Sequence, residues 1–260
     1  MKSFFIAIFL GSLQGISEWL PVSSEGVIVV ASMAFFGHEL NDSVSYALWL
    51  HSGTSLAALF VFRKEMLHII RECLFLSKEI SSRTRFIIFA TFSSGIVGIS
   101  LMPYTTDIPF GFETKAMVII GALMFVTGFV QLIKPKNGAR NGRSVRKLDA
   151  FFVGIDQGFS ILPGLSRSAL TVSALAWRGF DPQSALRLSF MMSIPVTLGI
   201  SLLQGISGDV VISQHACVAA LASLLTGIGT MKILLSLADK INFGFFMIFV
   251  GAIIIAGNSL

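Results

Sequence analysis

Residues 14–26 read Gln-Gly-Ile-Ser-Glu-Trp-Leu-Pro-Val-Ser-Ser-Glu-Gly, and residues 157–171 read Gln-Gly-Phe-Ser-Ile-Leu-Pro-Gly-Leu-Ser-Arg-Ser-Ala-Leu-Thr. Both stretches interrupt a strongly apolar chain with polar and helix-breaking residues. A shift of 143 positions superposes Gln14 on Gln157, Gly15 on Gly158, Ser17 on Ser160 and Ser23 on Ser166, and the prolines Pro21 and Pro163 match one residue out of step. A broken polar element repeated in two halves of a membrane protein points to its binding site.

The composition places the chain in a membrane. It is 54% hydrophobic and 13% charged, whereas about a quarter of the residues of a soluble domain are charged. Six apolar runs are each close to the ~20 residues that a helix needs to cross the hydrocarbon core. They cover residues 44–62, 86–103, 115–133, 184–205, 214–231 and 242–259.

Two pairs of shorter helices flank the repeated stretches. They are predicted at 3–13 with 26–36, and at 149–160 with 169–178. Arms of about 10 to 12 residues are too short to cross the bilayer. We therefore expect re-entrant hairpins whose broken tips meet inside the bundle. The predicted fold is an all-α integral membrane protein, with six transmembrane helices plus two re-entrant helical hairpins in an inverted-topology repeat.

The basic residues predict the orientation. The chain is expected to be a single membrane domain, 1–260, with pseudo-repeats 1–133 and 149–260 joined by a basic cytoplasmic loop, 134–148. Lys and Arg crowd that loop and the segment 63–85, and such loops stay in the cytoplasm. The net charge of +5 is therefore attributed to topology and to anionic head groups rather than to nucleic acid.

Three ionisable residues lie within the two broken stretches: Glu18, Glu25 and Arg167. Such residues cost about 2.5–3.5 kcal/mol near the bilayer centre, so they are candidates for function, with a structural ion pair as the alternative. Ser166, Ser168 and Thr171 surround Arg167 with hydroxyl donors. A guanidinium, hydroxyls and a helix N-terminus are groups that bind phosphate oxygens.

The first stretch offers the complementary groups. Gln14 and Glu18 are four residues apart and share a helix face, while Ser23 and Ser24 follow the break. A carboxylate facing an Arg–Ser clamp is suited to phosphoryl transfer or phosphate hydrolysis. Glu18 could activate a serine or water, or hold a divalent cation; Ser24 could be the nucleophile. Arg167 would stabilise charge on the phosphoryl group. Glu25 either belongs to the site or lines its aqueous mouth.

The pattern Gln-x-x-x-Glu-Trp-Leu-Pro-Val-Ser-Ser-x-Gly at 14–26, with Pro-Gly-x-Ser-Arg-Ser-x-x-Thr at 163–171, resembles the undecaprenyl pyrophosphate phosphatase family, linked to bacitracin resistance. The resemblance extends along nearly the whole chain. It implies a multi-pass enzyme of the plasma membrane that removes the terminal phosphate of a C55 polyprenyl diphosphate and so recycles the lipid carrier of cell-wall glycans. It also implies an outward-facing site and a divalent cation, Mg²⁺ or Ca²⁺.

The family roles can be carried over by motif position. Gln14 and Glu18 match the family's (Glu/Gln)-x-x-x-Glu pair, Glu18 being the candidate metal ligand, and Ser24 matches its proposed serine nucleophile. The predicted phosphate-binding set is Ser23, Ser166, Arg167, Ser168 and Thr171.

One position departs from the family pattern. Bacterial members usually have a histidine directly after the Gly of the first motif, where this chain has Val27. Glu25 and His51 are the candidates to take over its role, and the alternative for His51 is a hydrogen-bonded interhelical residue. The departure resembles divergent, archaeal branches, in which the lipid could be a dolichyl-type diphosphate.

A second function class remains open. Inverted repeats with broken helices are also a transporter design, so the chain could instead translocate a polyprenyl phosphate lipid across the bilayer. The expected partners are the polyprenyl diphosphate lipid and membrane lipids but no nucleic acid, and a homodimer is left open.

Overall fold

Helices make up almost all of the described secondary structure. The computed structural model describes residues 2–20, 22–74, 79–102, 140–162, 165–207 and 213–238, with single positions within 122–132 and 245–256. Over the continuous ranges the helices are α1 (Lys2–Ser17), α2 (Ser24–Phe36), α3 (Leu40–Val61), α4 (Arg63–Leu74), α5 (Ser82–Leu101), α6 (Lys147–Phe159), α7 (Arg167–Trp177), α8 (Pro182–Ser207) and α9 (Gln214–Leu237). The extended structure described there is one isolated bridge, between Arg140 and Phe180. The all-α prediction is confirmed for this part of the chain.

Four of the helices are long and apolar enough to cross a bilayer. Their spans are Asp42–Val61 in α3, Ser82–Leu101 in α5, Pro182–Leu203 in α8 and Gln214–Leu237 in α9, close to four of the six predicted runs. The other two predicted spans, 115–133 and 242–259, lie mainly outside the described residues.

The four shorter predicted arms are also helical. α1 and α2 pack against each other and form the first helix pair, while α6 and α7 form the second. The segment that interrupts each pair, called its break, follows Ser17 in the first pair and Phe159 in the second. α2 begins at Ser24 and α7 at Arg167, so the two second arms start at positions that correspond in the sequence repeat.

In each helix pair, the first arm packs mainly on a helix from the other half of the chain. α1 packs mainly on α9, and α6 packs mainly on α5. The second arms pack within their own half of the chain, α2 on α3 and α7 on α8. α3 and α8 pack on each other. The two pairs therefore interlock around a central α3–α8 contact.

Glycines allow the close approach of the exchanged arms. A Cβ atom at Gly15 of α1 would lie 2.5 Å from the Ser223 carbonyl oxygen of α9, and one at Gly158 of α6 would lie 3.0 Å from the Ser94 carbonyl oxygen of α5. Both distances are below normal van der Waals contact. The two glycines are equivalent in the sequence repeat, and each is the second glycine of a Gly-x-x-x-Gly motif, the pattern that allows apolar helices to pack closely.

The surface is apolar and the interior partly polar. Large side chains such as Phe35, Ile99 and Ile206 are 73%, 74% and 82% exposed, far more apolar exposure than a soluble monomer tolerates. Trp19, by contrast, is buried and meets Phe190 edge-on with ring centroids 5.0 Å apart. The Trp19–Phe190 contact places the first break against α8. The second arm α7 packs on the same helix.

Candidate active site

Each break ends in a serine that caps the helix after it. Ser23 Oγ accepts a hydrogen bond from the Gly26 amide at 3.3 Å, and Ser166 Oγ accepts one from the Ala169 amide at 3.3 Å. Serine is a preferred N-cap because its oxygen satisfies an amide that has no helical partner. Two helix N-termini, each with a partial positive charge, therefore begin at the breaks.

Among the described residues, two hydrogen bonds join the first break to the start of α7. Arg167 Nη2 donates to Glu18 Oε1 at 2.6 Å, and Ser168 Oγ donates to the Leu20 carbonyl at 2.7 Å. Ser24 also reaches Glu18. The expected proximity of Glu18 and Ser24 to Arg167 is confirmed.

Glu18 is the centre of the polar cluster. Its side chain is 3% exposed, and its second oxygen, Oε2, accepts hydrogen bonds from Ser24 Oγ at 2.6 Å and Gln14 Nε2 at 3.0 Å. Gln14 uses its amide nitrogen for this bond, and its buried amide oxygen Oε1 has no hydrogen-bond donor. The buried carboxylate is thus satisfied, while one carbonyl oxygen beside it is free to bind a cation or a donor.

Arg167 has spare hydrogen-bonding capacity. One terminal nitrogen binds Glu18, whereas the other, Nη1, is buried and has no acceptor. The guanidinium lies over the Trp19 ring, 5.7 Å from its centroid, which fixes the plane of the fork. An unpaired buried donor is costly, so this nitrogen favours the binding of an anion.

His51 of α3 also contacts Glu18. Its Nε2 lies 3.3 Å from Glu18 Oε2, and its Nδ1 lies 3.0 Å from the Ala47 carbonyl. A carbonyl can only accept, so the Nδ1 proton is held there, and Nε2 is the nitrogen that faces the site. His51 could be either a purely interhelical histidine or a member of the cluster. Its contact with Glu18 favours membership of the cluster. Val27 lies in the first turn of α2 and offers no polar atom.

The hydroxyls after Arg167 are used within the protein. Ser168 donates to Leu20, and Thr171 Oγ1 lies 2.8 Å from the Arg167 carbonyl and 2.6 Å from Ser189 Oγ of α8. These contacts fix α7 against α8 and the first break. Direct phosphate binding by Ser168 and Thr171, like that by Ser23 and Ser166, stays a prediction.

The oxygen atoms near Glu18 suit a divalent cation. Glu25 lies close enough to Glu18 and His51 to interact electrostatically with both, and Gln14 Oε1 is unpartnered. Hard cations such as Mg²⁺ prefer carboxylate and carbonyl oxygens, and Mg²⁺ is usually held by one or two carboxylates plus substrate phosphates. Among the described residues, however, no three His, Cys, Asp or Glu side chains form a metal-binding group. The binding of a divalent cation therefore stays a prediction.

Comparison with known families identifies this arrangement. The model of the family described as "Bacitracin resistance protein BacA" matches residues 7–256, nearly the whole chain. The chain belongs to the BacA family. Both broken stretches, and with them every residue of the cluster around Glu18, fall inside the matched range.

Relatives of this BacA-family chain carry the name undecaprenyl-diphosphatase. The protein of Methanococcoides burtonii is 34% identical over 259 residues, which covers 97% of each chain. That of Methanothrix thermoacetophila is 36% identical over 256 residues, covering 98% of this chain and 96% of the relative. That of Thermodesulfovibrio yellowstonii is 30% identical over 251 residues, covering 95% and 93%.

A second polar cluster of the BacA-family chain was not anticipated. Asp149 of α6 is buried and accepts hydrogen bonds from Arg140 at 2.6 and 3.2 Å and from Arg178 Nε at 2.7 Å. Arg140 also donates to the carbonyls of Arg178 and Ser144. The described end of the expected linker 134–148 is therefore fixed to α6 and α7, and α6 already begins at Lys147.

Proposed function

We propose that this chain is a polyprenyl-diphosphate phosphatase, which releases inorganic phosphate from an undecaprenyl or dolichyl-type diphosphate and so recycles the lipid carrier of glycans. Family membership and the names of the relatives support this function. The observation that carries it is the position of the Glu18 carboxylate between the Ser24 hydroxyl and the Arg167 guanidinium, each at 2.6 Å. A base, a nucleophile and an anion-binding group thus share one buried site.

Ser24 is the proposed nucleophile. Its Oγ attacks the terminal phosphorus while its proton moves to Glu18 Oε2, which already accepts the Ser24 hydrogen bond. The bond between that phosphorus and the bridging oxygen breaks, and polyprenyl monophosphate leaves. A water molecule then attacks the phosphoserine, the Oγ–P bond breaks, and Glu18 returns the proton to Ser24 Oγ. Inorganic phosphate leaves with the oxygen and the protons of the water. Attack by a water activated by Glu18, without a phosphoserine, is the alternative.

Arg167 is proposed to bind the terminal phosphate. Its unpartnered Nη1 supplies a donor that is already desolvated, and its fork is held in place by Glu18 and the Trp19 ring. A fixed donor in a site that excludes water stabilises developing charge without reorganisation. The N-termini of α2 and α7 add partial positive charge beside it.

His51 is proposed as an accessory to Glu18. Its Nε2 faces the same carboxylate oxygen that receives the Ser24 proton, so it can exchange that proton with Glu18. It would thereby supply imidazole chemistry that Val27 cannot.

A divalent cation is proposed to arrive with the diphosphate. Glu18, Glu25 and Gln14 Oε1 are the oxygen groups that would hold it, and it would neutralise charge on the phosphate oxygens. Whether the ion is Mg²⁺ or Ca²⁺ is decided by the assay described below.

The membrane arrangement that supports this site has six spans and two re-entrant hairpins in an inverted repeat, with halves 1–133 and 149–260. α2 has 13 residues and α7 has 11, so they extend ~20 and ~17 Å from the breaks. These lengths suit a site near the middle of a ~30 Å core. The basic loops would be cytoplasmic, and the site would open outward.

Phosphate release separates the phosphatase from the alternative, a translocase of polyprenyl phosphates. Purified protein is given undecaprenyl or dolichyl diphosphate with Mg²⁺, with Ca²⁺ or with a chelator, and inorganic phosphate is measured. Metal-dependent release is expected. The absence of release under every metal condition, together with movement of the lipid phosphate across proteoliposomes, would favour the translocase.

A further inference from the structure

The N-terminal ends of α5 and α8 carry a group of basic residues apart from the cluster around Glu18. A cavity of about 240 Å³ lies between these helices and the loop before α6. It is lined by Arg83, Asn141, Gly142, Arg143, Ser184, Arg187, Leu188 and Met191. None of the groups proposed for catalysis lines it, and three of the lining residues are arginines. We call it the arginine cavity.

The positive charge of the arginine cavity is only partly compensated. Arg187 is paired with Glu65 of α4, Nη2 to Oε1 at 2.6 Å, and lies over the Phe62 ring. In contrast, the Nε atom of Arg83 is buried and has no hydrogen-bond acceptor. Arg143 has no ion pair within the described part of the chain. Arg83 likewise has no ion pair there, so two of the three guanidinium groups that line the cavity lack an anionic partner among the described residues. An anionic ligand would supply that partner.

The walls of the cavity are held in place before any ligand binds. The Gly142 amide donates to Ser184 Oγ at 2.9 Å, and the Arg143 amide donates to Asn141 Oδ1 at 3.0 Å. These bonds fasten the loop over the first turn of α8. Since Ser184 Oγ accepts here, its hydroxyl proton remains available to a ligand oxygen.

The chemistry and the location both indicate a phosphate group. Guanidinium forks bind phosphate with two parallel hydrogen bonds, and the cavity has roughly eight times the ~30 Å³ that one water occupies in the liquid. Asn141 and Arg143 are exposed, so the cavity reaches the surface. It lies where two apolar spans begin, and basic pockets at such positions bind lipid head groups.

We propose that the arginine cavity binds a phosphate group, supplied either by the head group of an anionic lipid or by free inorganic phosphate. This site is separate from the proposed hydrolytic site and does not depend on hydrolysis.

Lipid retention measured by native mass spectrometry tests the proposal. Wild-type protein is titrated with phosphatidic acid and, separately, with zwitterionic phosphatidylcholine. The pocket variant is Arg83→Gln/Arg143→Gln, and the matched control, Arg71→Gln/Arg85→Gln, removes two exposed arginines that do not line the cavity. We expect about tenfold weaker retention of phosphatidic acid by the pocket variant, because hydrogen bonds to charged groups are worth at least that factor, and little change in the control.

Free phosphate is tested in the same proteins without added lipid. Inorganic phosphate is also the proposed product and can bind at the hydrolytic site, so the two proteins are compared by how much phosphate raises their melting temperatures. A larger rise in the wild type than in the pocket variant, with no preference for phosphatidic acid, identifies free phosphate as the ligand of the arginine cavity. If Arg83→Gln/Arg143→Gln does not fold, the single variant Arg143→Gln is used, since that side chain is exposed. Equal loss in pocket and control variants, or no loss in either assay, overturns the proposal.

Discussion

The carboxylate of Glu18 and the guanidinium of Arg167 are separated by 149 residues along the chain, yet Oε1 and Nη2 lie 2.6 Å apart. The Glu18–Arg167 pair joins the two breaks, and Ser24, Gln14 and His51 share the same carboxylate. Four predictions concern this cluster, and one concerns the exchanged helices.

Glu18→Gln should reduce kcat by about 10²- to 10⁴-fold, the usual contribution of a general base. The amide is nearly isosteric with the carboxylate, but it leaves the largely buried Arg167 guanidinium without its anionic partner. The melting temperature should therefore also fall, and kcat is compared at a temperature at which both proteins are folded. Phosphate release and thermal unfolding are measured together, with Glu39→Gln as the exposed control. Wild-type turnover in Glu18→Gln would remove the carboxylate from the mechanism.

Ser24→Ala distinguishes the two attack modes. If Ser24 is the nucleophile, turnover should fall to background, and wild-type enzyme quenched during turnover should carry phosphate on Ser24, detectable by mass spectrometry. Substantial residual activity would instead favour direct attack by water. Ser100→Ala, which alters an exposed serine on α5, is the matched control.

Arg167→Lys should lower kcat by about 10²- to 10³-fold, comparable to the loss of one oxyanion donor. The ammonium keeps the charge but cannot both hold Glu18 and present a second, oriented donor to phosphate. Steady-state kinetics check the effect, with the exposed Arg85→Lys as control. Near-wild-type kinetics would leave Arg167 with a structural role.

His51→Gln should lower kcat about tenfold or more and leave KM within about threefold, because a glutamine can hydrogen-bond Glu18 but cannot carry its proton. His68→Gln is the control, since the His68 side chain is 66% exposed. If glutamine preserves full turnover while His51→Phe does not, His51 only positions Glu18.

Gly15→Ala should lower the melting temperature by several degrees. The added methyl group meets the Ser223 carbonyl, and overpacking of this kind costs about 1–3 kcal/mol. Gly229→Ala meets nothing within 4 Å and should be neutral or stabilising. Gly158→Ala and Gly95→Ala provide the same comparison for the α5–α6 contact. Equal melting temperatures within each pair would contradict the close approach.

The sequence predicted the cluster better than its surroundings. Glu18 and Arg167 could be predicted to meet because unpaired charges at membrane depth are costly. Whether His51 joined them depended on the rotation of α3 relative to α1, which one sequence does not reveal. The Arg140–Asp149 pair was missed because Arg140 was assigned to the basic loop 134–148, for which no packing partner was predicted. The Gly-x-x-x-Gly motifs that end at Gly15 and Gly158 were visible, but not which helix each one contacts.

The exchange of α1 and α6 has a consequence for biosynthesis. α1 leaves the ribosome long before its main helical neighbour, α9, is made, because seven helices lie between them in the described parts of the chain. A nascent N-terminal half would therefore contain Glu18 and Ser24 but would lack Arg167 and α9, the helix on which α1 mainly packs. The enzyme can become active only after most of its helices have been inserted, so a chain truncated before α9 should be a substrate for membrane quality control rather than a slower catalyst.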